Sequence, residues 1–240
     1  MTVLPYENST LDKRGQVEQM FNSIASKYDF LNHFLSLGID IYWRNRAISL
    51  LKGSNPKLLL DVATGTADFA LTAHRSGAKK VIGIDISENM LAVGRTKIKN
   101  LKLDQNIELI HGDSENLPFE TSNFDAITVS FGVRNFQHLE KGLTEMFRVL
   151  KPGGKMVVLE FSKPQKFPVK QIYNFYFKYI LPRIGKLVSK DDSAYRYLPE
   201  SVNKFPEGGK FVKILQEIGF KNTQCIPLTF GICSIYSGTK

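Results

Sequence analysis

From Val17 the apolar residues fall at Val17, Met20, Phe21, Ile24, Ala25 and Tyr28, the i, i+3, i+4, i+7 spacing of one helix face. A second apolar-rich stretch runs from Leu35 through Trp43 to Leu51, so residues 1–55 read as helices. After the break SNPK the pattern changes. KLLLDVA, KVIGID, NIELIHGD, FDAITVS and GKMVVLEF are short apolar runs, mostly closed by an acidic or small polar residue, the signature of strands buried on both faces. Helical patterns lie between them, at Leu139, Gly142, Leu143, Met146, Phe147 and Leu150, and after Ser87, which suits an N-cap for ENMLAVGRTKIK. Strand alternating with helix predicts a doubly wound, mostly parallel α/β sheet with right-handed crossovers. A last helix at Phe211, Ile214, Leu215 and Ile218, ended by Gly219, precedes two strand-like runs around residues 223–237 that would close the sheet edge as an antiparallel hairpin.

Composition changes this picture little. The 240 residues are 42% hydrophobic and 23% charged, a globular balance. A single domain is expected: a helical cap (1–55), a core (56–162), an insert (163–206) and a closing helix and strands (207–240). Cys225 and Cys233 lack the spacing of a zinc site or redox pair and read as strand residues in a reducing compartment. No leader and no membrane-length apolar run is evident, which predicts a cytoplasmic protein, free or peripheral to a membrane. Charge matters through its placement. The net charge is +9, and residues 163–190 hold seven Lys or Arg and no acid, leaving +2 for the rest. Within that stretch Ile172, Phe175, Tyr176, Tyr179 and Ile180 follow a helical apolar pattern, with Lys170, Asn174 and Lys178 on another face. This is the composition of an interfacial helix on an anionic surface, and equally of a helix packed on a substrate pocket.

In such a sheet ligands bind outside the carboxyl ends of the strands, so the residues just after each strand are the ones to read. The first strand runs into DVATGTAD, where Gly65 lets a backbone approach a ligand and Thr66 offers a hydroxyl and an N–H. The second ends at Asp85, twenty residues beyond Gly65, the position of an acid that accepts from a ribose diol. Together these indicate an adenosine-containing cofactor. A dinucleotide would want G-x-G-x-x-G around its diphosphate, whereas this loop has one glycine and two acids, better company for the cationic S-adenosylmethionine. HGDSENLPF after the third strand places Asp113 and Ser114 for the adenine amino group, with Leu117, Pro118 and Phe119 as an apolar wall. Ser130 ends the fourth strand, across the crevice from the methyl donor.

With YDFLNHFLSLGIDIYWR, NLPFETSNFDAITVSFGVRN, RVLKPGGKMVVLEFSKP, LPRIG and SAYRYLPESV, the chain resembles over nearly its whole length the class I S-adenosylmethionine-dependent methyltransferases, and among them the UbiE/MenG quinone-biosynthesis C-methyltransferases. The resemblance implies a Rossmann-like fold and cofactor contacts at Thr66, Asp85, Asp113, Ser114 and Ser130. Ala63 and Ala67 depart from it, standing where the wider class often has glycines in D-x-G-x-G-x-G. The implied reaction is C-methylation of a polyprenylated quinol, demethylmenaquinol to menaquinol. The benzoquinol step of ubiquinone synthesis and a sterol or phenol acceptor stand as alternatives.

An aromatic carbon becomes nucleophilic when an adjacent hydroxyl ionises, so the site must stabilise a phenolate, which suits an arginine. Arg134 and Asn135, just past the fourth strand, are the catalytic candidates, with Tyr28 as a lid contact. A structural ion pair is the competing role for Arg134. His33, His111 and His138 are candidate bases, and Asp29, Tyr195, Arg196 and Tyr197 could line the acceptor pocket. A nucleic-acid methyltransferase fits less well, because SFGV replaces the D/N-P-P-Y/F face that handles exocyclic amines; no nucleic-acid partner is expected. An anionic membrane is the expected peripheral contact, and a homodimer is left open as the assembly.

Overall fold

The computed structural model describes residues 3–180, 183 and 193–240. LPRIG, Lys186 and Lys190 fall largely or wholly outside that range. Seven strands form one sheet in the order β3-β2-β1-β4-β5-β7-β6. β1 (Leu58–Val62), β2 (Lys80–Asp85), β3 (Ile107–His111), β4 (Phe124–Ser130) and β5 (Leu150–Phe161) are parallel. β7 (Cys233–Thr239) lies antiparallel between β5 and β6 (Lys221–Leu228), so the expected C-terminal hairpin closes one edge. Strand order reverses between β1 and β4, which opens a crevice at their carboxyl ends.

Buried apolar side chains cover both faces of the sheet. Leu59, Val81, Ala126, Val157 and Ile235 pack on one, and Leu60, Ile84, Ile127, Val158 and Tyr236 on the other. This explains why the strands read as apolar runs without alternation. Local signals behave as their chemistry dictates. Ser87 caps α4 (Glu88–Asn100) by accepting from the Met90 N–H, and Gly219, at φ +116°, ends α8 (Gly209–Ile218), the last of eight α-helices among the described residues. Both cysteines are free and lie on strands, Cys233 buried and Cys225 half-buried.

The helical cap is α1 (Lys13–Leu35) and α2 (Ile39–Ile48), laid across the carboxyl ends of the sheet. It is tied to α3 (Asp68–Arg75) and α4 by a chain of charges. The Thr66 hydroxyl donates to Asp29, Lys97 bridges Asp29 and Asp68 at 2.6 Å each, and Arg44 joins Asp68 to Asp40. Arg44 and Asp40 are nearly fully buried, so the pairing offsets a desolvation cost that neither charge could bear alone.

Between β5 and the last helix, α6 (Val169–Phe175) and α7 (Ser193–Lys204) close over the cap. Here the sequence expectation needs correction. Residues Tyr176–Ile180 continue α6 as a π-helical turn, which adds residues per turn and rotates the apolar face. The inward residues are Tyr173, Tyr176 and Phe177, while Phe175 and Tyr179, expected on the same face as Tyr176, are turned to solvent.

Candidate functional site

Two cavities lie at the carboxyl ends of the strands. The smaller, about 80 Å³, sits between the ends of β1, β2 and β4 and the overlying α1. Its backbone is unusual. Ala63, Gly65 and Ala67 all adopt left-handed φ, at +52°, +55° and +69°, so every second residue of the loop turns the chain the way glycine does most easily. The two alanines hold this conformation because their methyls are packed. A Cβ added at Gly132 would meet that of Ala63 at 2.6 Å, so the glycine follows β4 where the alanine side chain needs its room.

Acceptors dominate this cavity. Asp85 receives the N–H groups of Gly65 (2.8 Å) and Ser87 (2.9 Å), and among the described residues no cation is bonded to it. Burial pushes its pKa up, and those backbone N–H groups only partly oppose the shift. Ser130 Oγ and Asn135 Oδ1 are buried on the cavity wall without a hydrogen-bond partner. Asp113 and Ser114 line the far end, where Asp113 is shared with Arg14 of α1 at 2.9 Å. Such a wall suits a ligand that carries ammonium and sulfonium charge and ribose hydroxyls to donate. Asp85, Asp113, Ser114, Ser130 and Asn135 are thus brought together.

Thr66 is not. Its hydroxyl is spent on Asp29 and it lines neither cavity. Leu117 and Phe119, expected as a wall beside the adenine, instead pack into the sheet core. Their place is taken by Ile86 and Met90 and by Val17 and Phe21 of α1. Ile86 was readable as the neighbour of Asp85. The α1 residues carried no local signal, because only tertiary docking puts them there.

The larger cavity, about 380 Å³, is enclosed by α1, α2, α6 and α7 and is mostly apolar. Phe21, Tyr28 and Phe131 line both cavities, so the two meet there. Phe131, directly after β4, also has a left-handed φ of +56°, a strained setting for a bulky side chain. Its ring stacks on Phe161 at 4.5 Å and meets Trp43 edge-on, while its carbonyl accepts from Arg134 Nη1 at 2.5 Å.

Arg134 lines the larger cavity and is largely buried. Nη1 pairs with Glu160 at 2.8 Å, Nε reaches Ser201 Oγ, and the guanidinium lies 5.5 Å from the Phe161 ring centre. The structural ion pair and a place at the cavity wall therefore coexist in one side chain. Burial pushes Glu160 upward and Arg134 partly counters it. Of the other expected pocket residues, Tyr195 and Tyr197 line the larger cavity, whereas Asp29 and Arg196 do not. None of His33, His111 and His138 reaches either wall: His33 Nδ1 lies 2.8 Å from Asp40, and His111 Nε2 contacts the Ile86 carbonyl.

A family model for the ubiE/COQ5 methyltransferase family matches residues 9–240. The chain belongs to that family. It is 50% identical over 239 residues to a demethylmenaquinone methyltransferase of Bacteroides fragilis, covering 99% of this chain and 97% of that one. It is 44% identical to the ubiquinone/menaquinone biosynthesis C-methyltransferase UbiE of Geotalea daltonii, covering 95% and 98%. Among solved structures, an S-adenosylmethionine-dependent methyltransferase of Thermotoga maritima, described as a possible histamine N-methyltransferase, superposes with a TM-score of 0.66 at 18% identity. That match covers 92% of this chain and 99% of that one, a likeness of fold alone.

Proposed function

We propose that this chain transfers a methyl group from S-adenosylmethionine to a ring carbon of demethylmenaquinol, giving menaquinol. The observation that carries this reading is the junction at Phe21, Tyr28 and Phe131, where an acceptor-lined cavity meets an apolar one. When bound, S-adenosylmethionine supplies an electrophilic sulfonium methyl and leaves as the neutral thioether. Asp85 would hold the ribose hydroxyls, Ser130 and Asn135 the ammonium, and Asp113 and Ser114 the adenine edge. Tyr28 and Phe131, common to both cavities, would set the approach of the ring carbon, since transfer needs a near-attack distance of about 3 to 3.5 Å.

Arg134 acts on the acceptor. Its Nη1 is held by Glu160 and the Phe131 carbonyl, which fixes the guanidinium plane at the cavity wall. A cation there lowers the pKa of a quinol hydroxyl so that water can take its proton, and it then stabilises the phenolate whose charge reaches the ortho carbon. The ring hydrogen leaves as a proton once the new C–C bond forms. The test is incubation with labelled S-adenosylmethionine and prenylated naphthoquinol or benzoquinol, reduced or oxidised, read by mass spectrometry. Label should appear on carbon of the reduced naphthoquinol. Equal turnover of the oxidised quinone would overturn the phenolate mechanism.

The acceptor's prenyl tail belongs in a bilayer, and the surface around the larger cavity fits that. Leu37, Phe230 and Phe167 are 84%, 81% and 80% exposed; Leu37 lines the cavity, Phe230 adjoins Thr229 of its lining, and Phe167 lies two residues before Val169, another lining residue. Lys166, Lys170 and Lys178 lie in the same segment as Phe167. Among the described residues no helix is long and apolar enough to cross a membrane. Peripheral docking on anionic lipid would let the quinol head enter while its tail stays in the acyl layer, each basic residue near the surface contributing about 1 kcal/mol. Sedimentation with anionic vesicles should be salt-sensitive and weakened by Leu37→Glu with Phe230→Glu. Pelleting unchanged by salt and by both substitutions would remove the membrane from the proposal.

A further inference from the structure

Two hydroxyls on the wall of the larger cavity are chemically out of place. Tyr173 on α6 and Tyr197 on α7 are 8% and 3% exposed, and among the described residues neither hydroxyl has a hydrogen-bond partner. A buried hydroxyl without a partner is destabilising, and phenylalanine would fill either position without that cost. Tyr176 of the same wall does not share the problem: it donates to the Leu35 carbonyl at 3.0 Å. Polar groups left unpaired in an apolar cavity are what a site built to hydrogen-bond a ligand looks like when described without it.

Their position names the ligand atoms. Tyr197 stands one helical turn before Ser201, on the same face of α7, and Ser201 Oγ takes the Arg134 Nε hydrogen at 3.3 Å. Tyr197 is thereby placed beside the guanidinium that faces the acceptor. Tyr173 comes from the opposite helix, its ring fixed by stacking on Phe177 at 4.2 Å. Burial raises both phenols, Tyr197 to about 12, so each is a neutral donor at working pH and not a base.

We propose that Tyr173 and Tyr197 are positioning donors that hydrogen-bond the ring oxygens of the quinol. Both stand within electrostatic reach of Arg134, so the oxygen that ionises and the donors that hold the ring share one end of the cavity. This rests on the functional reading above. It adds the groups that orient the ring, so that one carbon and not another meets the methyl.

The test separates a ligand-binding hydroxyl from a structural one. Tyr173→Phe and Tyr197→Phe should keep or raise the Tm and leave the Kd for S-adenosylmethionine unchanged. The kcat/KM for a monoprenylated demethylnaphthoquinol should fall by about 10- to 100-fold for each. The single tryptophan, Trp43, lines the same cavity, so quenching of its fluorescence by that quinol gives a binding readout independent of turnover; it should weaken in both variants. Turnover and quenching within twofold of wild type would overturn the inference, as would losses accompanied by a lowered Tm, since the hydroxyls would then be serving the fold. A wild-type enzyme that binds the cofactor yet methylates no prenylated quinol overturns the functional reading and this inference with it.

Discussion

The two sides of the junction at Phe131 handle buried charge in opposite ways. At the strand ends Asp61 is held by two threonine hydroxyls and Asp85 by two backbone N–H groups, with no cation bonded to either among the described residues, and burial pushes both upward. On the cap side Asp40 is paired with Arg44 and drawn down, and Glu160 is paired with Arg134. The first region is short of positive charge and so prepared to receive it. The second has neutralised itself and presents an otherwise apolar surface. That is the division of labour expected when a cationic donor and an uncharged, lipid-soluble acceptor must meet at one point.

The sharpest way to break the comparison is at Arg134. Arg134→Ala leaves the Glu160 carboxylate buried beneath a lost partner, a change that costs about 3–5 kcal/mol. A fall of 10² or more in kcat is expected as well if the guanidinium stabilises the phenolate. Chemical denaturation and single-turnover assays distinguish the two. Arg134→Ala with Glu160→Gln should recover part of the stability and none of the rate; recovery of both would reduce Arg134 to a structural ion pair.

A second, smaller effect lies under the donor cavity. Burial raises the pKa of Asp61 from 3.8 to about 6, against the two hydroxyls that favour its charge. The folded state therefore binds this proton more tightly than the unfolded chain. Stability from this group is fully present below about pH 3.8 and is lost as pH rises through 6, amounting to about 3 kcal/mol at neutral pH. Asp61→Asn can still accept from one threonine and donate to the other. The expected outcome is a stability gain at pH 7.5 of up to that size, shrinking toward pH 4, followed by urea titrations across the range. A variant less stable than wild type at pH 7.5 would mean that Asp61 is better paired than its neighbours indicate.

The same division sets how much the sequence could reveal. Asp85, Asp113, Ser114 and Ser130 were legible as residues of the smaller cavity because parallel strands end where their apolar runs end, and a crevice opens where the strand order switches. The strain at Ala63 and Ala67 was legible only as a departure from a glycine pattern; the paired room at Gly132 needed coordinates. The apolar cavity resisted reading because two helix pairs far apart in sequence, α1 with α2 and α6 with α7, build it. Periodicity put Phe175 and Tyr179 with Tyr176, whereas the helix turns Tyr173, Tyr176 and Phe177 inward and leaves the other two exposed. Tyr173 and Phe177 were missed because the apolar pattern was taken from Ile172, which put a neighbouring face of the helix inward. Thr66 shows the limit of a local reading in another way: it stands at the strand end, but its hydroxyl bonds an aspartate 37 residues upstream.

The last prediction sharpens the donor side. Asp85→Ala removes the carboxylate expected to accept from the ribose hydroxyls, and charge-assisted bonds of that kind contribute about 1.5 to 3 kcal/mol. Calorimetry should show the Kd for S-adenosylmethionine raised about 10- to 100-fold. The substitution also frees the Gly65 and Ser87 N–H groups, so part of the loss could come from a loosened loop. Asp85→Asn separates the contributions, because one amide oxygen can still accept from a backbone N–H while the charge is gone. If the asparagine variant binds the cofactor as weakly as the alanine variant yet melts like wild type, the charge itself is what the ribose needs. Quinol quenching of Trp43 should stay at the wild-type level in both variants, because Asp85 does not line the cavity that Trp43 reports on. A parallel loss of quinol binding would mean that the two cavities are one site electrostatically, and that the contrast across Phe131 is geometric only.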